Sequence, residues 1–243
     1  MGLKRLLIAG FALGALLGLA ADPPSRTVIV GTAGFDLPPS IVARDILIEA
    51  YARIGYNVEF PIFPPGRMIA SLDSGTVDAL ILAEASFPKE HPGSIAVATP
   101  IWVDELVVFS KLPIVVDNWE DLRPWRVGYI RGMLIIERKL ASGFNRFPAH
   151  DPFQLFRMLS AGHIDVTVTS RSIGGLMIGR LSLRGVSRVS GKLETVPNYH
   201  IIAQKNAELA RLLSAELSAM EKSGRIAEIT RDSLSRLFPK GIP

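Results

Sequence analysis

The chain has 243 residues, with 27 Lys or Arg against 23 Asp or Glu, which gives a formal charge of +4 with the four histidines neutral. That excess is small and its basic residues are spread along the chain, which argues against a nucleic-acid footprint. The chain contains no cysteine, so disulfides, thiolate catalysis and a lipid-modified leader cysteine are excluded.

Lys4 and Arg5 precede an apolar run from Leu6 to Leu19 that closes on the small residues Ala20 and Ala21. This is the pattern of a secretory leader, residues 1–21, cleaved after Ala20 or Ala21, where a membrane anchor would need about 20 predominantly apolar residues; the mature chain is expected in the periplasm. Roughly 220 residues then remain, enough for one large domain or two small ones.

Strand and helix patterns alternate from there. Residues 27–31 are β-rich, and Ser40 offers an N-cap for a helix reaching Ile54, with Ala43, Leu47, Ala50 and Tyr51 on one face. A strand over residues 57–63 leads through Pro64, Pro65 and Gly66 into a helix from Arg67, which stops near Gly75 before a strand over residues 77–83. Such alternation predicts an α/β fold with parallel strands.

The same unit recurs later. Arg67 to Leu80 and Phe156 to Thr167 both run as an amphipathic helix, a glycine (Gly75, Gly162), a connecting residue, then a β-branched residue and an aspartate (Asp78, Asp165) that open a strand. The second helix carries the clearer start, with Asp151 as N-cap and Pro152 in its first turn. Two similar lobes are therefore expected. Between them an extended stretch covers residues 95–111, and a strand follows over residues 125–130. Another strand covers residues 199–204, and two terminal helices follow, the first capped by Asn206. The chain should cross between lobes near Glu105 and return near Tyr199, giving residues 22–105 plus 199–243 as one lobe and 106–198 as the other.

The order of these segments resembles the extracellular solute-binding proteins of family 3, the polar amino-acid receptors of ABC importers. The resemblance spans the mature chain. It rests on Ser71 to Ala79, on Pro100-Ile101-Trp102, on Trp119 to Leu122 followed by Val127-Gly128, on Leu159 to Asp165, and on Tyr199 to Lys205. It implies a type II periplasmic-binding-protein fold: two α/β lobes joined by a two-strand hinge, closing over a small polar ligand. It also implies a membrane partner, either an ABC permease or a sensor, and a monomer without cofactor.

The sequence departs from the amino-acid receptors where they hold their ligand. The segment that carries their carboxylate-binding arginine reads Glu84 to Pro92 here, a Gly-Thr pair becomes Gly132-Met133, and the position of an amine-binding aspartate falls near Ser170-Arg171. An anionic or otherwise atypical solute is expected ahead of an α-amino acid. Arg67, at a helix start, is either a bidentate carboxylate ligand or a surface partner of Asp73. Arg131 and Arg171 follow second-lobe strands, where ligands of open α/β sheets sit. Phe35 follows the first strand as an aromatic platform or a core residue. Glu84 is either a ligand-amine partner or a solvated acid, and Trp102 and Tyr199 are hinge aromatics that line the cleft or pack within it.

Enzymatic readings have less behind them. His91, His150, His163 and His200 lack metal-ligand spacing, and Ser170 and Ser172 lack a Gly-x-Ser-x-Gly elbow. A lyase-like chemistry using Glu84 and a nearby base is the remaining enzymatic alternative.

Overall fold

The computed structural model describes residues 26–34 and 36–242; the expected leader over residues 1–21, and Phe35, lie outside them. Strand β1 (Arg26–Ala33) begins the first lobe, followed by α1 (Pro38–Arg53), β2 (Tyr56–Glu59), β3 (Ile62–Phe63), α2 (Pro65–Asp73), β4 (Ala79–Glu84), α3 (Phe87–Glu90) and β5 (Ser94–Ala96). Strand β6 (Trp102–Ser110) carries the chain into the second lobe. That lobe holds β7 (Arg126–Ile130), α4 (Leu134–Lys139), β8 (Asn145–Ala149), α5 (Pro152–Ser160), β9 (Val166–Ser170), α6 (Arg171–Arg180) and β10 (Ser187–Arg188). Strand β11 (Glu194–Ala203) returns to the first lobe, where α7 (Ala207–Lys222) and α8 (Arg225–Leu237) close the chain. Among the described residues no helix is long and apolar enough to cross a membrane.

The strands lie in the order β2-β1-β4-β11-β6-β9-β7-β8. Strand β1 is parallel to β2 and β4, and β7 is parallel to β8 and β9, so each lobe has its own parallel set. Strands β6 and β11 run antiparallel through the centre, pairing Trp102 with Asn198, Asp104 with Val196 and Leu106 with Glu194. Their first-lobe ends pack into a core with α1 and α7, whereas Leu106 and Val196 belong to a second-lobe core with Val127 and Val168. These two strands form the hinge.

The repeated unit has a physical basis. Gly75 and Gly162 both adopt φ near the left-handed helical value, +73° and +75°, a conformation that costs a residue with a Cβ. The aspartate that follows each glycine then anchors a neighbouring strand: Asp78 accepts the Ile29 N–H of β1 at 3.0 Å, and Asp165 accepts the Arg126 N–H of β7 at 2.9 Å. Asp165 also takes the Arg126 guanidinium, at 3.0 and 2.7 Å, and this pairing holds its carboxyl below the usual carboxylate range despite partial burial. In both lobes the repeat thus ties a helix-to-strand turn to an adjacent parallel strand.

Several local expectations are corrected. Ser40 does not cap α1, which starts earlier because Pro38 and Pro39 occupy the first turn, where a missing N–H costs nothing and φ is already helical. The strand expected over residues 57–63 is broken into β2 and β3 around Pro61, whose carbonyl accepts the Thr32 N–H at 3.1 Å. Strand β8 had no counterpart in the sequence reading. Strand β11 starts at Glu194, ahead of the expected start at Tyr199, and runs on through Pro197. Asn206 stands at the N-cap position of α7, but its side-chain amide donates to Asp78 at 3.0 Å and makes no cap bond. Asp151 does cap α5, accepting the Gln154 N–H at 2.8 Å.

Candidate functional site

The crossing strands border two cavities. The larger, 720 Å³, lies between the lobes. The first lobe contributes Met68 and Ile69 of α2, Leu82 to Glu84 at the end of β4, and Phe87, Glu90 and His91 around α3. The second contributes Arg131 to Ile135, which form the turn from β7 into α4, together with His150. Asp104, Leu106, Val196 and Asn198 come from the crossing strands. The volume falls within the roughly 300–1,000 Å³ of small-molecule sites, and apolar walls with a few polar groups are their usual lining. The smaller cavity, 510 Å³, is bounded by Trp102 to Glu105, by Ser170 to Ser172 where β9 meets α6, and by Ile226, Thr230 and Leu234 of α8.

Asp104 lines both cavities. It is 8% exposed, and its carboxyl accepts a hydrogen bond from the Ser170 hydroxyl, which is itself within 3.0 Å of the Ser172 hydroxyl. Burial pushes this carboxyl up to about 6 from its ordinary 3.8, against the lowering pull of Ser170 and the nearby Trp102 indole. Sequence reasoning did not select Asp104. Its signal was there: in an alternating strand Asp104 shares a side with Trp102 and Leu106, so an acid stands on a face that is otherwise apolar.

The structure separates the residues expected to touch a ligand. Glu84 and Arg131 line the larger cavity, and Trp102 and Arg171 the smaller. Trp102 is buried in the first-lobe core, with its indole beside the Asp104 carboxyl. Tyr199 packs with Leu80, Phe87 and Ile201 in a separate first-lobe cluster and lines neither cavity. Arg67 is exposed on α2 and lines neither cavity, although its neighbour Met68 lines the larger one, and its guanidinium forms no ion pair with another described residue. Asp73, its expected surface partner, stands instead 4.0 Å from His91. Arg171 is the first residue of α6 and lies 3.4 Å from Glu105. Arg67 and Arg171 are therefore not brought together on one site. Glu84 is partly buried and paired: one carboxylate oxygen accepts the Ile135 N–H at 3.1 Å and the other the Arg138 guanidinium at 2.8 Å.

His200 is fully buried in the first lobe, with its Nε2 2.8 Å from the Tyr51 hydroxyl and its Nδ1 3.3 Å from the Ile81 carbonyl. Burial lowers it to about 4 from 6.5, so the ring is neutral at pH 7 and serves packing. Among the described residues no group of three or more His, Cys, Asp or Glu is placed to hold a metal ion.

Two α/β lobes joined by a pair of antiparallel crossing strands, with a cavity between them, define the type II periplasmic-binding-protein fold. Solved structures of low identity share it, among them the following three. A histidine kinase sensor domain described as similar to periplasmic binding proteins aligns at a TM-score of 0.76 and 23% identity, covering 86% of this chain and 96% of that one. An ancestral arginine-binding protein bound to arginine aligns at 0.72 and 20%, covering 85% and 97%. The substrate-binding protein of an amino-acid ABC transporter aligns at 0.68 and 16%, covering 88% and 100%. No protein-family model matches the chain, and no curated protein matches it.

Proposed function

We propose that the chain is an extracytoplasmic solute-binding protein that takes a small polar solute into the 720 Å³ interlobe cavity, by hinge closure and without chemistry on the solute. The observation that carries this reading is the cavity itself, bordered by both lobes and by both crossing strands, so that closure buries whatever fills it. The lobes are read as residues 22–105 plus 199–243 and residues 106–198, with export directed by residues 1–21. Delivery to an ABC-type permease is the first reading of its role. The likeness to a histidine kinase sensor domain favours a second, in which the closed form signals to a membrane partner. Of the expected cationic ligand contacts, Arg131 is the one that lines this cavity.

A thermal-shift screen of amines, organic acids, sugars and small peptides tests the reading. A true ligand should stabilise saturably, by about 2.7 kcal/mol at a hundred times its dissociation constant, and should be recovered unchanged. Turnover of the stabilising compound would overturn the binding-only reading. Uptake of the labelled solute by cells with and without the protein then separates transport from signalling.

A further inference from the structure

We propose that Glu84 is the protein's own occupant of the anion-accepting position in the cleft: its carboxylate latches the lobes together without solute and restricts the cavity to uncharged or cationic solutes. This rests on the reading of the interlobe cavity as the binding site. Glu84 ends β4 in the first lobe, and both of its carboxylate oxygens are used by the second lobe, one by the Ile135 backbone N–H and one by Arg138. Its side chain is only 18% exposed. A backbone N–H and a guanidinium N–H directed at the two oxygens of one carboxylate form the charge-assisted pairing that an incoming acid would itself need.

The position of this contact gives it leverage. Among the described residues, the side-chain hydrogen bonds and ion pairs that join the lobes outside the crossing strands all end on Ile135 or Arg138, and they come from Glu84 and, at 3.9 Å, from Glu90. Ile135 also lines the cavity, so the donor that Glu84 occupies belongs to the cavity wall. The acids lining that cavity are Glu84, Glu90 and Asp104, whereas its arginine is Arg131. A carboxylate solute would meet these acids after losing its hydration, and like charges placed together in an interface are strongly unfavourable. An amine or an uncharged solute meets no such opposition.

The test compares the wild-type chain with Glu84→Ala, Glu84→Gln and Arg138→Ala, each checked for native circular dichroism, by small-angle scattering in the absence of solute. The wild type should be compact, and the Ala variants should show a larger radius of gyration. Propionate supplies the missing carboxylate, so at millimolar concentration it should return Glu84→Ala to the compact form while leaving Arg138→Ala open. Identical scattering from wild type and variants, or no response of Glu84→Ala to propionate, would overturn the latch. In a parallel thermal-shift panel, putrescine and benzylamine should outperform succinate and benzoate on the wild type, and Glu84→Ala should gain a response to the acids. Stabilisation of the wild type by the acids alone would overturn the solute class. If no compound stabilises either protein, the binding-site reading and the solute class both fall, and the scattering result still decides the latch.

Discussion

Replacing Asp104 by Asn is expected to make the protein more stable at pH 7.5, by on the order of 3 kcal/mol, and to leave its stability at pH 4 nearly unchanged. Asp104 is buried at the hinge, and its carboxyl is raised to about 6 in the folded chain from an ordinary 3.8. Between those values the folded state holds a proton that the unfolded chain has released. Its favourable contribution is therefore complete below 3.8 and is lost as pH rises through 6. Asn carries no ionisation and retains an oxygen for the Ser170 hydroxyl, so it removes the cost of burying the charge.

His200 acts with the opposite sign in nearly the same window. Its pKa is lowered to about 4 from 6.5, so its contribution is complete above 6.5 and is lost as pH falls toward 4, again by on the order of 3 kcal/mol. In the wild type the two groups offset each other, and these two sites together leave stability nearly flat from pH 4 to 6.5. Asp104→Asn should unmask the His200 dependence and show a steady loss on acidification. Urea unfolding at pH 4, 5, 6 and 7.5 measures both profiles. Parallel profiles for wild type and variant would show that Asp104 does not titrate as its burial requires.

Phe109→Ala is expected to destabilise the fold by about 3–5 kcal/mol, the usual cost of truncating a fully buried aromatic. Phe109 lies on the second-lobe half of crossing strand β6, fully buried, and meets the Phe156 ring edge-on with centroids 5.7 Å apart. Its ring also covers Gly174 of α6 so closely that a Cβ there would lie 2.0 Å from the ring. Gly174→Ala by itself should therefore cost about 1–3 kcal/mol through overpacking. The double variant should lose less than the sum of the two, because the alanine methyl enters space that the ring vacates. Denaturation midpoints of the four proteins give the coupling directly. Additive losses would show that the ring and Gly174 do not share this packing.

The features legible in the sequence were those set over a few consecutive residues. The two helix-glycine-aspartate units could be read because helical periodicity and a left-handed glycine are local properties, and the structure gives both units the same task of anchoring a parallel strand. The Asp151 cap could be read for the same reason. Asn206 had the same local signature, yet its amide turns to Asp78, 128 residues earlier, where a carboxylate competes with the helix end.

The candidate site was legible only as a set of residue types. Sequence placed Arg67, Arg171 and Glu84 near strand and helix ends, and nothing local distinguished an arginine facing solvent on α2 from one lying beside Glu105. Sequence by itself determined the α/β alternation, the paired lobes and the two crossings, because each follows from apolar periodicity and turn chemistry along short segments. Only the tertiary structure decided that Asp104 is buried between two cavities and that Glu84 is held by Ile135 and Arg138 across the cleft. Burial and charge pairing there depend on groups dozens of residues apart in the chain, and folding alone brings them within hydrogen-bonding distance.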